Sequence, residues 1–271
     1  MKGIKSMKIY EILDEENRIS IGVLLYYEKE KTFVIELKDD LDEWNAPLLL
    51  ASYVKKKTYT IPRDISFLWV KERVIPSGRQ NIDAILRNHK LKIYDEMKLL
   101  EISQARCSQD SLFIKKIESL PEYVVERINR NLIDCAILDD NNLLCFFTDD
   151  TVKKVDLEEL KATDGVDKIL RNNSLFQSGK ICAGGYAVTF NDSIDIPSSV
   201  LYEKGETVPL KLKDFLAFVN KNILDTRESC DVLECTRQNV SYMVNQQQLE
   251  PIKTDVKGNL YLKGDILKNK W

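Results

Sequence analysis

The stretch TRESCDVLECTRQNVSYMVNQQQLEPIKTDVKGNLYLKGDILKNKW, residues 226–271, carries the most informative pattern in this 271-residue chain. Asp225 or Thr226 can cap a first helix that runs to about residue 233. After a break, Thr236 can cap a second helix that runs to about residue 246. The spacing of small and apolar side chains predicts a buried contact where the two helices cross, formed by Ser229, Leu233, Cys235, Val240 and Val244.

Two short strands, at 252–254 and 260–262, and a closing helix at 265–267 are predicted to follow. The whole segment resembles the helix-turn-helix of excisionase-like and MerR-like DNA-binding domains, with the pattern [ST]xxEAAxxLGV[ST]RQNVxxL, then GxLxP and a Yx[FL] wing strand. The matching residues are Thr226, Glu228, Ser229, Leu233, Thr236, Arg237, Gln238, Asn239, Val240, Leu249, Pro251, Tyr261 and Leu262. Glu234 and Gln247 stand where the pattern has glycines, so each needs a left-handed residue or an altered turn.

The resemblance implies that the second helix enters the major groove of duplex DNA, with its N-terminal residues against base edges. Arg237 can pair bidentately with guanine, and Gln238 or Asn239 with adenine. The remaining predicted contacts are phosphate donors on the helix and residues of the wing: Thr236, Ser241, Tyr242, Asn245, Lys253, Lys257 and Tyr261. The competing interpretation is a solvated helix face or a protein-docking version of the same module.

The charge of this segment is nearly balanced. From Thr226 onward it has seven basic and six acidic residues. Because affinity for DNA depends on the number of phosphates neutralised, one copy should bind weakly. A homodimer that reads two half-sites of a palindrome is therefore expected.

The composition of the whole chain narrows the function classes. Lys and Arg number 40 against 43 Asp and Glu, which argues against a histone-like or ribosomal protein. His89 is the one histidine, so any His-dependent catalytic or metal centre would depend on it. The six cysteines form no CxxC pair, which argues against structural zinc. No apolar leader or membrane span is visible, so we expect a cytoplasmic protein with no membrane partner.

The first part of the chain, residues 1–116, is predicted to be one α+β module. Strand-like alternation occupies 8–13, 19–27 and 32–37, and helical spacing occupies 42–54, 62–73, 81–87 and 95–102. One stretch of about forty residues resembles the N-terminal region of HipA-like proteins, and this resemblance implies a scaffold without the kinase half. Its matching residues are Arg73, Arg79, Ile82, Ile85, Leu86, Tyr94, Ser108, Asp110 and Phe113.

Residues 117–210 are predicted to form a second module of the β-α-β-β kind. Strands at 143–148 and 151–157 flank a hairpin at Asp149-Asp150, and further strands lie near 179–182 and 186–190. This order resembles a small bacterial domain known as domain of unknown function 2442, which implies no established chemistry. Residues 211–225 then form an amphipathic helix, which serves as a linker, as a dimerisation helix or as a helix packed on its own domain. Its apolar stripe is Phe215, Phe218, Val219 and Ile223.

These features predict an α+β protein of small antiparallel-sheet modules with a winged helix-turn-helix at 226–271. We expect a dimeric DNA-binding regulator, a repressor or autoregulator of a bacterial or mobile-element operon. The alternative is a phage- or element-encoded inhibitor or antitoxin whose N-terminal modules sequester a toxin or host nuclease. An enzyme is the weakest hypothesis: no catalytic residue, metal or cofactor is predicted. Asp149 and Asp150, with Asp156 nearby, are expected to form a turn rather than a metal site, and Cys107 has no base other than the distant His89.

Overall fold

The computed structural model describes residues 7–256, 258–262 and 266. Its first unit is an antiparallel sheet with the strand order β4-β3-β2-β1-β5. The three predicted strands of the meander are confirmed almost to the residue, because each alternates or runs apolar between charged turns. The strands are β1 (Met7–Asp14), β2 (Ile19–Tyr27), β3 (Thr32–Leu37), β4 (Thr60–Ile61) and β5 (Leu112–Ile117).

Four helices cover one face of this sheet: α1 (Leu48–Lys55), α2 (Arg63–Lys71), α3 (Ile82–Asn88) and α4 (Glu96–Ser103). The predicted helix over 42–54 was wrong in its first half. Asp42 instead accepts hydrogen bonds from the backbone N–H groups of Trp44 and Asn45, which makes a turn, and α1 begins only after Pro47. Proline fixes its own φ and disfavours a helical residue before it, so the helix cannot extend backward.

A fifth helix, α5 (Glu122–Ile128), covers the opposite face of the same sheet. Its Val124 is fully buried against Ile9, Val23 and Val34. The sequence-based division places α5 in the middle module, whereas its apolar side packs on the N-terminal one.

The middle unit contains two antiparallel sheets around one core. The first has the order β12-β8-β7-β6, and Asp149-Asp150 forms the turn between β7 and β8 as predicted. The sequence interpretation assigned no strand to β6 and none to β11. The elements are β6 (Leu132–Ile137), β7 (Asn142–Phe147), β8 (Val152–Asp156), α6 (Val166–Leu170), α7 (Asn173–Gln177), β9 (Lys180–Ile181), β10 (Ala187–Phe190), β11 (Ile194–Pro197), α8 (Ser198–Lys204) and β12 (Glu206–Thr207).

Polar contacts join the first two units. Arg63 of α2 makes a bidentate ion pair with Asp195 of β11, with N···O distances of 2.6 and 2.9 Å. Within the first unit, Arg127 of α5 donates to the fully buried carboxylate of Glu36 at 2.7 Å. The ring of Tyr186, from the middle unit, packs in the same cluster as α5 and contacts Tyr27 edge-on.

After α9 (Leu212–Asn222), the last unit contains β13 (Ile223–Leu224), α10 (Thr226–Leu233) and α11 (Arg237–Asn245). Strands β14 (Lys253–Val256) and β15 (Gly258–Leu262) complete a sheet with the order β13-β15-β14. Because β13 pairs with β15 and Leu224 is buried in this core, the unit starts at residue 223. Within the described ranges, no helix has the length and apolar character needed to cross a bilayer.

We expect Arg127→Met to destabilise the fold in a pH-dependent way. Burial raises the pKa of Glu36, and the Arg127 guanidinium opposes that rise. Without Arg127 the carboxylate is buried and unpaired at pH 8, which should cost about 3–5 kcal/mol of unfolding free energy. A carboxyl whose pKa is raised on folding stabilises below its unfolded pKa and loses that contribution as the pH rises, so the loss should shrink at pH 4.

Urea unfolding at both pH values measures this effect. The exposed Arg87→Met is the matched control and should change little. Adding Glu36→Gln to Arg127→Met should remove most of the pH dependence. An equal loss at pH 4 and pH 8 would contradict the assignment to the Glu36 carboxylate.

Candidate nucleic-acid interface

The α10 helix begins with a capping box. The side chain of Asp225 accepts hydrogen bonds from the backbone N–H groups of Arg227 and Glu228, at 2.7 and 2.8 Å, and Glu228 accepts from the backbone N–H of Asp225 at 2.9 Å. Of the two predicted caps, the structure therefore uses Asp225. Thr236 caps α11 as predicted, accepting from the backbone N–H of Asn239 at 3.4 Å. Both helix starts are thus fixed by local side chains.

The predicted contact between the two helices is present. Ser229, Leu233 and Val240 are buried, and Cys235 and Val244 pack beside them. The Ser229 hydroxyl donates to the backbone carbonyl of Asp225 at 2.6 Å, so its burial leaves no unpaired hydroxyl proton. This core orients α11 with one side inward and the other toward solvent.

Both turns that lack glycine adopt the left-handed conformation. Glu234, at the end of α10, has φ 55°, and Gln247, just after α11, has φ 56°. These are the positions where the sequence pattern predicted either left-handed residues or altered turns. An L-residue in this region costs about 1–2 kcal/mol, which the surrounding hydrogen bonds and core must offset.

The exposed side of α11 is polar. Gln238, Ser241, Tyr242 and Asn245 follow one another at i, i+3, i+4 and i+7 and are all exposed, which places them on one stripe. Arg237 and Asn239 are also exposed, as is Thr236 at the cap. The seven residues predicted on this helix therefore share a solvent-facing surface. It carries hydrogen-bonding groups and a single charge, that of Arg237.

The three predicted wing residues differ in their exposure and in whether the structure describes them. Lys253 is exposed on β14, whereas Lys257 lies outside the described residues. Tyr261 is only 1% exposed and belongs to the core of the unit. Its ring packs in one cluster with Leu224, Leu233 and Val240, and its hydroxyl accepts from Asn259 Nδ2 at 3.2 Å. We therefore remove Tyr261 from the candidate contact set.

The residues considered as catalytic or metal-binding candidates have structural roles. Asp149 accepts hydrogen bonds from Thr151 and Tyr202, which explains its place in the turn. Burial tends to raise the pKa of Asp149, but these hydrogen bonds outweigh burial and hold the pKa below its usual range. Cys107 donates to Asp110, and His89 is the exposed C-cap of α3. Over the part of the chain that the structure describes, no group of three or more His, Cys, Asp or Glu side chains is arranged to hold a metal ion.

Comparison of the chain with family models, with curated proteins and with solved structures gave no match.

We expect Gln247→Gly to stabilise the α10–α11 unit by about 0.5–1 kcal/mol, because glycine adopts a positive φ without the Cβ contact that strains glutamine. The neighbouring Gln246→Gly is the matched control. Gln246 has φ −85°, so glycine there should cost about 0.5–1 kcal/mol through its extra freedom in the unfolded chain. Hydrogen-exchange protection of the α11 amides measures both effects, and the same sign for both variants would contradict the strain argument.

Proposed function

We propose that this protein is a DNA-binding regulator that reads duplex DNA with α11 and acts as a dimer on an operator, its own promoter included. The observation that carries the proposal is the stripe of Gln238, Ser241, Tyr242 and Asn245 beside Arg237. In this proposal α10, α11 and the β14–β15 hairpin form a winged helix-turn-helix. No metal or cofactor is needed for binding of this kind.

The residue types on α11 suit recognition of bases. Arginine matches the two acceptors of guanine, and glutamine or asparagine matches the donor and acceptor of adenine. Arg237 and Gln238 stand in the first turn, the part of a recognition helix that approaches the base edges. The hydroxyls of Ser241 and Tyr242 are suited to phosphate contacts. A merely solvated helix face would not need this combination of bidentate groups at its N-terminal end.

The near-neutral charge of the unit supports dimerisation, since one copy neutralises few phosphates. The α9 helix offers a surface for it. Phe215, Leu216 and Phe218 are exposed on α9, although the ring of Phe215 also lies 6.1 Å from that of Phe146. Because α9 leads directly into β13, a contact between two α9 helices would join two DNA-reading units in one assembly. Of the roles that the sequence leaves open for this helix, the proposal adopts dimerisation.

We expect Arg237→Ala to lower specific binding by about 1–3 kcal/mol, or about 5- to 150-fold, and to relax selectivity at one base position. The test starts with selection of binding sites from a random duplex library by the full-length protein. Fluorescence anisotropy on the selected duplex then compares the variants. Arg171→Ala, which removes an exposed positive charge from the middle unit, is the matched control and should bind like the parent. Failure to enrich any duplex would contradict the DNA-binding proposal.

We expect Phe218→Asp to convert the dimer to a monomer and to weaken operator binding by at least tenfold, because the two half-sites would then be bound independently. Light scattering after size exclusion measures the mass, and circular dichroism checks that the fold is intact. Asn220→Asp places the same charge on an exposed position of the same helix and should leave the dimer intact. A Phe218→Asp protein that keeps the parent's mass would exclude α9 as the dimer contact.

A further inference from the structure

A cleft of about 760 Å³ lies on the N-terminal unit, far in sequence from α11. Four segments line it: the β1–β2 turn, the loop before α1, the end of α2 and the loop before β5. Its rim carries Trp44 and Leu48, which are 89% and 95% exposed. Large apolar side chains presented to water beside a concave surface are typical of a binding site rather than of a solvated turn.

The rim is held in place by local hydrogen bonds. Asp42 accepts from the backbone N–H of Trp44, and the two side chains Asp42 and Asn45 are joined at 2.9 Å. On the opposite side, Asp14 accepts from Asn17 and from the Ser111 hydroxyl, which ties the β1–β2 turn to the loop before β5. A rim fixed in this way loses little freedom when it binds a partner.

The buried lining residues carry unpaired donors. Trp69 and Arg73 are both more than nine-tenths buried, and the Arg73 guanidinium stacks over the Trp69 ring at 4.0 Å. Arg73 forms an ion pair with Asp110, but its Nε–H and the indole Nε1–H of Trp69 have no hydrogen-bond partner among the described residues. Buried donors are nearly always paired in native proteins, and these two N–H groups, which have no solvent-accessible surface, are exceptions to that rule.

The charge of the cleft is negative. Glu16 and Glu72 are exposed and have no side-chain partner within the described ranges, and Asp14 adds a third carboxylate. Burial tends to raise the pKa of Asp14, but hydrogen bonds from Ser111 and Asn17 outweigh it and keep this group ionised at neutral pH. Among the described residues that line the cleft, the single cation, Arg73, is already paired with Asp110. The surface therefore favours a cationic partner.

We propose that this cleft binds an extended segment of a protein partner that carries a Lys or Arg next to a large apolar residue. The apolar side chain would pack on Trp44 and Leu48, and the cation would lie against Glu16 and Glu72. This inference does not depend on DNA binding, since no residue of α11 takes part.

A peptide fits the cleft better than a simple cation does. A lone ammonium ion would satisfy the carboxylates, but it has no apolar body for the exposed rim. A polypeptide offers a cation and an apolar side chain at the spacing of consecutive residues. The cleft volume also lies within the range that accommodates several side chains.

The experiment uses the full-length protein with ¹⁵N-indole-labelled tryptophan, whose signals are assigned with Trp→Phe variants. The probes are two libraries of acetylated and amidated hexapeptides, one with Lys or Arg beside Leu or Phe at the centre, the other with Glu in place of the cation. The basic library should shift the Trp44 and Trp69 indole signals, and the acidic library should not. If neither library moves these signals, or both move them equally, the proposal is overturned.

Variants then locate the contacts on the best basic peptide. Trp44→Ala should weaken it about 30-fold, as expected when a tryptophan that packs on the partner's apolar side chain is lost. Glu16→Gln with Glu72→Gln should weaken it about 2- to 10-fold, since both charges stay partly solvated. Ile93→Ala and Glu159→Gln are the matched controls at other exposed sites and should change nothing. Equal binding of butylammonium chloride alone would exclude a peptide in favour of a small cation.

Discussion

The buried carboxylate of Glu36 is the constraint on which the arrangement of the first two units depends. It has no exposed surface and accepts hydrogen bonds from Thr60 on β4 and from Arg127 on α5. Arg127 also donates to the backbone carbonyl of Leu37, so α5 is fixed on the outer face of the sheet. Because β6 follows α5 after a few residues, this contact determines where the middle unit starts. Tyr186 then packs against the same cluster and joins the two units.

Local patterns predicted much of the fold, and non-local burial explains the rest. The meander, the Asp149 turn and both helices of the C-terminal unit follow from alternation, capping and helical spacing, which act within a few residues. The two-residue strand β13 carries no such pattern and exists only because β15 offers it an edge. The position of α5 on the first sheet likewise depends on Glu36, about 90 residues earlier in the chain. No local signal could have given either feature.

In the candidate interface, too, some features follow from local patterns and others depend on non-local burial. The exposure of the polar α11 residues could be predicted, because Val240, Met243 and Val244 define the inward side by their spacing alone. The burial of Tyr261 could not, since a tyrosine on a short strand is compatible with either face until the strand order is known. Trp44 and Leu48 received no functional role from the sequence. In a helical interpretation of 42–54 they belong to an apolar face, whereas the structure places Trp44 in the turn made by Asp42 and Leu48 at the exposed start of α1.

The two proposed surfaces, the cleft at Trp44 and the exposed side of α11, differ in charge. The overall net charge of −3 suggests little affinity for nucleic acid, but it is an average over unlike parts. The cleft at Trp44 concentrates unpaired carboxylates, which repel phosphates and attract cations, whereas α11 carries Arg237 amid uncharged donors and acceptors. A duplex and a basic peptide are thus directed to different surfaces by the sign of their own charge. In the proposed function, an acidic body would also lower nonspecific attraction to DNA, so that binding would depend more on the proposed base contacts of α11 and on the proposed pairing of two copies.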